Sequence, residues 1–98
     1  MAYYEINRQS IVGPSEDQVS CRLDGEAALL QMSEGVYYGL DQMGARIWDE
    51  MQEPISIEEL RDRIVREYDV DADRCERDLI EFVRAMVTAG LIRVSHLR

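Results

Sequence analysis

The chain has 98 residues, 46% of them hydrophobic and 32% charged, which suits one compact domain with a modest core. Its formal charge is −9, from 20 acidic residues against 11 basic ones, and every basic residue is an arginine. An acidic chain repels phosphate backbones, which disfavours a broad nucleic-acid-binding face. The longest apolar runs are a few residues, such as Ala27–Leu30, far short of the roughly 20 that a membrane span needs.

Met1 to Arg8 contain Glu5 and no apolar block, so no signal peptide is expected and the protein is assigned to the cytoplasm. Residues 1–17 read as an N-terminal arm, with a possible strand at Tyr3–Ile6 and a loop at Val12-Gly13-Pro14-Ser15-Glu16-Asp17. The domain proper is expected over residues 18–98. Gln18–Leu23 alternates loosely and meets Asp24-Gly25, a tight-turn pair that tolerates positive φ. Glu26–Met32 forms the next strand, with Leu30 and Met32 on one face. Ser33-Glu34-Gly35 turns the chain again, and Val36–Leu40 closes a three-stranded antiparallel meander.

Three helices follow. Asp41 caps the first, whose apolar stripe is Met43, Ile47, Trp48 and Met51, and Pro54 ends it. Ser56 and Glu59 form a capping box for the second, which buries Ile57, Leu60, Ile64 and Tyr68. Asp69 or Asp71 caps the third, with Cys75, Leu79, Phe82, Val83 and Met86 as its stripe and Gly90 as its stop. Leu91–Val94 is a short extended tail. The fold class is therefore α+β, a three-stranded antiparallel sheet followed by three helices, with the second and third resembling a helix-turn-helix unit.

Catalysis finds no constellation. The single histidine, His96, lies three residues from the end, and Cys21 and Cys75 stand 54 positions apart. They read as reduced, half-buried thiols rather than a disulfide or metal pair. Asp69, Asp71 and Asp73 lack the Gly and closing Glu of a calcium loop, and no Gly-rich phosphate loop exists. No catalytic residue, metal or cofactor is expected. The third helix shows Arg74, Arg77 and Arg84 among Asp73, Glu76, Asp78 and Glu81, the alternation of a solvated face rather than of a DNA-reading helix. What remains is a sheet edge. A partner peptide can add a strand there, its backbone giving affinity and its alternate side chains filling pockets.

The ordered set Leu29-Leu30-Gln31-Met32-Ser33-Glu34-Gly35-Val36-Tyr37-Tyr38-Gly39-Leu40-Asp41, Met43-Gly44-Ala45-Arg46-Ile47-Trp48, Ser56-Ile57-Glu58-Glu59-Leu60 and Ala89-Gly90-Leu91-Ile92 resembles the PqqD-like family. The likeness runs over roughly residues 18–94; the first 17 residues and the final segment match poorly and leave room for a swapped strand or a dimer contact. It implies the winged-helix-like fold of RiPP recognition elements. These bind the leader of a ribosomally made precursor peptide as an added strand, in the cleft between the third strand and third helix. The Tyr-Tyr-Gly-Leu strand is closest in appearance to the free-standing leader-binding proteins of lasso-peptide pathways, which work beside a separate leader peptidase and a macrolactam-forming enzyme. The implied peptide-binding residues are Val36, Tyr37, Tyr38, Arg77, Leu79, Phe82, Val83 and Met86, with the helix arginines suiting an acidic leader. The implied partners are that leader and those enzymes, with no nucleic acid and no membrane, the protein being a monomer or homodimer. A regulatory winged helix binding DNA or a protein is the alternative.

Overall fold

The computed structural model describes residues 5–96, arranged as two three-stranded sheets and three helices. The expected meander is present: β2 (Gln18–Leu23), β3 (Glu26–Gln31) and β4 (Val36–Leu40) pair antiparallel in the order β2-β3-β4. Asp24 and Gly25 turn β2 into β3 with φ of 50° and 85°, the pair of positive values a two-residue hairpin requires. Ala27, Leu29 and Gln31 of β3 are buried, and Leu29 stands opposite Tyr38, so Val36, Tyr38 and Leu40 share the inward face. Val19, Leu23, Leu30 and Tyr37 consequently face outward, and Val19, Leu23 and Tyr37 are exposed.

The second sheet differs from expectation. β1 (Ser10–Pro14) takes in Val12-Gly13-Pro14, read from the sequence as loop, and lies between β5 (Ile55–Ser56) and β6 (Ile92–His96). Gly and Pro signal a turn locally, but Pro14 falls at the strand's last residue, where a missing N–H costs little. The final extended segment pairs with this arm over five residues, from Ser10 opposite His96 to Pro14 opposite Ile92. Backbone bonds stitch the arm down further: Ser15 N–H donates to the Leu91 carbonyl (3.0 Å), Met32 to Asp17 (3.0 Å) and Glu58 to Arg8 (2.9 Å). Of the strand considered at Tyr3–Ile6, Tyr3 and Tyr4 lie outside the described residues, and Glu5 and Ile6 are not in a strand, although Ile6 is buried.

The helices are α1 (Gln42–Glu50), α2 (Ile57–Tyr68) and α3 (Ala72–Thr88). Asp41 caps α1 by accepting from the Gly44 N–H at 2.8 Å, Ser56 caps α2 through the Glu59 N–H, and Asp71 rather than Asp69 caps α3 through the Arg74 N–H. Asp69 instead ends α2 in the left-handed region, φ 53°. At the far end of α3, Gly90 (φ 78°) lets the Leu91 N–H reach back to the Met86 carbonyl at 2.9 Å, which closes the helix and drives Leu91 into the core. α1 packs on β3, α2 on α3, and α3 on β6 around Leu29, Trp48, Met51, Leu60, Leu79 and Val83. Two stripe residues depart from expectation: Met43, in the first turn of α1, is 38% exposed, and Tyr68, the last residue of α2, is 39% exposed. Cys21 is exposed on β2 and Cys75 is buried; both are free thiols.

An ion network joins α1 to α2. Glu50 accepts from Arg63 Nη1 at 2.8 Å and from Arg46, whose guanidinium also reaches Glu67 at 2.7 Å. Hydrogen bonds from Arg63 and then Arg46 hold the Glu50 carboxyl below its ordinary 4.5. A lowered carboxylate contributes stability that is fully present above pH 4.5 and fades as pH falls through the folded-state value. Glu50→Gln is therefore expected to lose about 1 kcal/mol at neutral pH. Its difference from the parent in thermal melts should shrink steadily below pH 4.5.

Candidate peptide-binding cleft

β4 is an edge of its sheet: it pairs with β3 on one side, and no described strand pairs with it on the other. Beside that edge lies a cleft of about 760 Å³. Gly39 and Leu40 from the end of β4 form one wall; Arg74, Cys75, Asp78, Leu79 and Phe82 from α3 form the other. Met43, Gly44 and Ile47 of α1 and Ile64 of α2 make the floor, and Val70 and Asp71 close the end at the α2–α3 turn. Apolar side chains line a strand edge whose N–H and C=O groups lack a neighbour in the sheet, the combination an added strand uses.

Helix geometry decides which α3 residues reach the cleft. Met86 points into the core, Cys75 and Leu79 are buried where the core meets the cleft, and Phe82, Asp78 and Arg74 step round the flank toward β4. Of the residues the sequence suggested, Leu79 and Phe82 line the cleft. Val83 is fully buried on the other flank and Met86 is buried in the core, so neither is a lining residue. Arg77 stands nearly opposite Cys75 around the helix and faces solvent. Tyr38 is half-buried against the core, on the inner face of β4, while Tyr37 is 72% exposed on the outer face and Val36 is exposed near the strand's start.

Charge around the cleft also departs from the acidic-leader expectation. Asp41, Asp71 and Asp78 border it against one arginine, Arg74, which already meets Asp78 at 4.0 Å. The arginine stripe is broken because Arg77 and Arg84 do not line the cleft. Cys75 lies in the wall with its thiol pushed up by burial first and by the nearby Asp78 carboxylate second, so it is held as a neutral thiol.

Apart from Leu79 and Phe82, the lining was passed over by sequence reasoning, Met43, Gly44, Ile47, Asp71, Arg74 and Asp78 among it. One signal for them was present: a glycine inside a helix, Gly44, marks a place where something comes close. Met43 and Ile47 were read as core because a cleft floor and a core share the same apolar periodicity.

The family model of coenzyme PQQ synthesis protein D (PqqD) matches residues 26–92. Among solved structures, the chain is similar to TbiB1 in complex with the TbiA(β) leader peptide, with 41% identity over 83% of this chain and 94% of that one and a TM-score of 0.79. It is also similar to a lasso peptide synthetase B1 complexed with the leader peptide, at 21% identity, 84% and 96% coverage and a TM-score of 0.75, a likeness of fold. No curated protein matches it.

Proposed function

The chain belongs to the PqqD family, and from that premise we propose that it binds the leader segment of a ribosomally synthesised precursor peptide and presents it to maturation enzymes. The observation that carries this reading is the edge of β4 standing beside an apolar cleft walled by α3. A leader in extended form would add to that edge through main-chain hydrogen bonds and set alternate side chains against Leu40, Leu79 and Phe82. The work is binding rather than catalysis, with no cofactor and in the cytoplasm. Among the described residues no helix is long and apolar enough to cross a membrane, and no group of three or more His, Cys, Asp or Glu could hold a metal.

The similarity to TbiB1 in complex with a leader peptide, at 41% identity, supports a leader peptide as ligand, and the shared fold of a lasso peptide synthetase B1 is in keeping with a leader of the lasso type. A separate leader peptidase and a macrolactam-forming enzyme are then the partners to which the bound leader is handed. Backbone pairing and apolar contact do not depend on phosphate-like charge, so this binding should be only mildly sensitive to salt, unlike the steep collapse of nucleic-acid binding.

Fluorescence polarisation with labelled leader peptides from several pathway classes, at two salt concentrations, tests the proposal. Tight binding to a lasso-type leader, changing less than about threefold between roughly 50 and 200 mM salt, is expected, against losses of about 10³ or more for a phosphate binder. Tyr37→Ala should leave that affinity within about threefold, since the side chain points away from the cleft and its loss removes less than a hot-spot contact. A folded protein that binds no leader of any class would sink the adaptor reading.

A further inference from the structure

We propose that Gly44 is a specificity-determining residue of the peptide cleft, its missing side chain setting the width of the cleft between the end of β4 and α3; this rests on the peptide-binding reading. Gly44 is buried in the first turn of α1. Glycine inside a helix is destabilising by about 1 kcal/mol relative to alanine, so its presence there requires a reason. The surroundings supply one. A Cβ at this position would meet Asp41 Oδ1 and Leu40 Cβ at 3.3 Å and Phe82 Cε1 at 3.5 Å. All three of these residues line the cleft.

A larger side chain at this position therefore grows into the cleft lining itself. The two closest neighbours are constrained: Leu40 belongs to a paired strand, and the Asp41 carboxylate is committed to the α1 cap. The Phe82 ring, at 3.5 Å, would take a Cβ in ordinary van der Waals contact, so alanine is crowded mainly against Leu40 and Asp41, whereas the further methyl groups of valine would press on this half-buried ring, which borders the open volume where the peptide would lie. Gly44 thus acts through Leu40 and Phe82. It is a positioning residue, and the ligand it discriminates for is an extended peptide whose side chains need the full width of the cleft.

The test uses Gly44→Ala and Gly44→Val with two readouts. The first is affinity for labelled TbiA(β) leader peptide, expected to fall about threefold for alanine and about thirtyfold for valine, as overpacking of a few methyl groups implies. The second readout needs no peptide. Cys75 lines the cleft and Cys21 is exposed, so the ratio of a bulky to a small thiol reagent's rate at Cys75, with Cys21 as internal standard, reports the width. That ratio should fall about fivefold or more in Gly44→Val, by the same crowding, and return when Phe82→Leu is added. If Gly44→Val does not fold, Gly44→Ala is read alone, with a fall of about twofold expected. An unchanged ratio in the folded variant overturns the proposal whatever the peptide does. A lowered ratio in a protein whose parent binds no leader would leave Gly44 shaping the cleft and count against peptide binding instead.

Discussion

Phe82→Ala is expected to weaken leader-peptide binding by about thirtyfold or more while the protein stays folded. Truncating a large aromatic that lines a desolvated pocket costs about 2 kcal/mol or more in binding, which is a factor of about thirty. The cost in stability is smaller than the roughly 3–5 kcal/mol of a fully buried phenylalanine, because this ring is half-buried against the cleft. Val83→Ala provides the contrast. Val83 is the next residue along α3 and fully buried, yet it lies on the flank away from β4. Its truncation should destabilise the fold by a comparable amount and leave affinity within about threefold, since the lost contacts are in the core rather than the cleft. Equilibrium unfolding and polarisation titrations on both variants separate the two effects. If both lose affinity in proportion to lost stability, the cleft is not the binding surface and α3 acts only as scaffold.

The contrast between Phe82 and Val83 also marks how far the sequence could be read. Helix spacing identified the whole stripe Cys75, Leu79, Phe82, Val83 and Met86, and the structure buries or half-buries every member of it. Periodicity reports which side of a helix is apolar. It does not report where that side passes from core to cleft, because that boundary depends on how α3 sits against β4, a tertiary relation. The same limit applies to Arg77, placed at the binding surface by the family resemblance but carried to the far side of the helix by its angle. The strands, the three helices and the caps at Asp41 and Ser56 were legible because each rests on local chemistry: Asp24-Gly25 at positive φ, a carboxylate or hydroxyl at an N-cap, a glycine at the end of α3. The smaller sheet was not legible. Its three strands come from residues 10–14, 55–56 and 92–96, and nothing local in any of them names the others.

That sheet leads to the second large effect. A chain beginning at Gln18 is expected to lose cooperative folding. The sequence suggests an arm over residues 1–17 and a self-sufficient domain over 18–98, and such a domain would survive the cut. The position of β1 argues otherwise. It is the central strand of its sheet, so its removal leaves β5 and the whole of β6 without a neighbour. Val12, 1% exposed, and Ile6 go with it, and burying two such side chains is worth about 3–6 kcal/mol. Leu91 and Ile92, now buried, would be uncovered from the arm's side. Asp17 also goes, and with it the acceptor for the buried Gln31 amide at 2.7 Å and for Ser33. A domain of this size has about 5–15 kcal/mol in all, so these losses approach the whole of it. Circular dichroism and urea unfolding of the truncated chain should show a shallow, non-cooperative transition, and a peptide spanning residues 1–17 added in trans should sharpen it. A steep two-state transition in the truncated chain alone would restore the arm-and-domain division and reduce β1 to an accessory strand. The cut also bears on function, because Met32, on the turn that leads into β4, is bonded to the Asp17 carbonyl. The edge offered to the leader is therefore anchored by the residues that the family model, starting at residue 26, does not include.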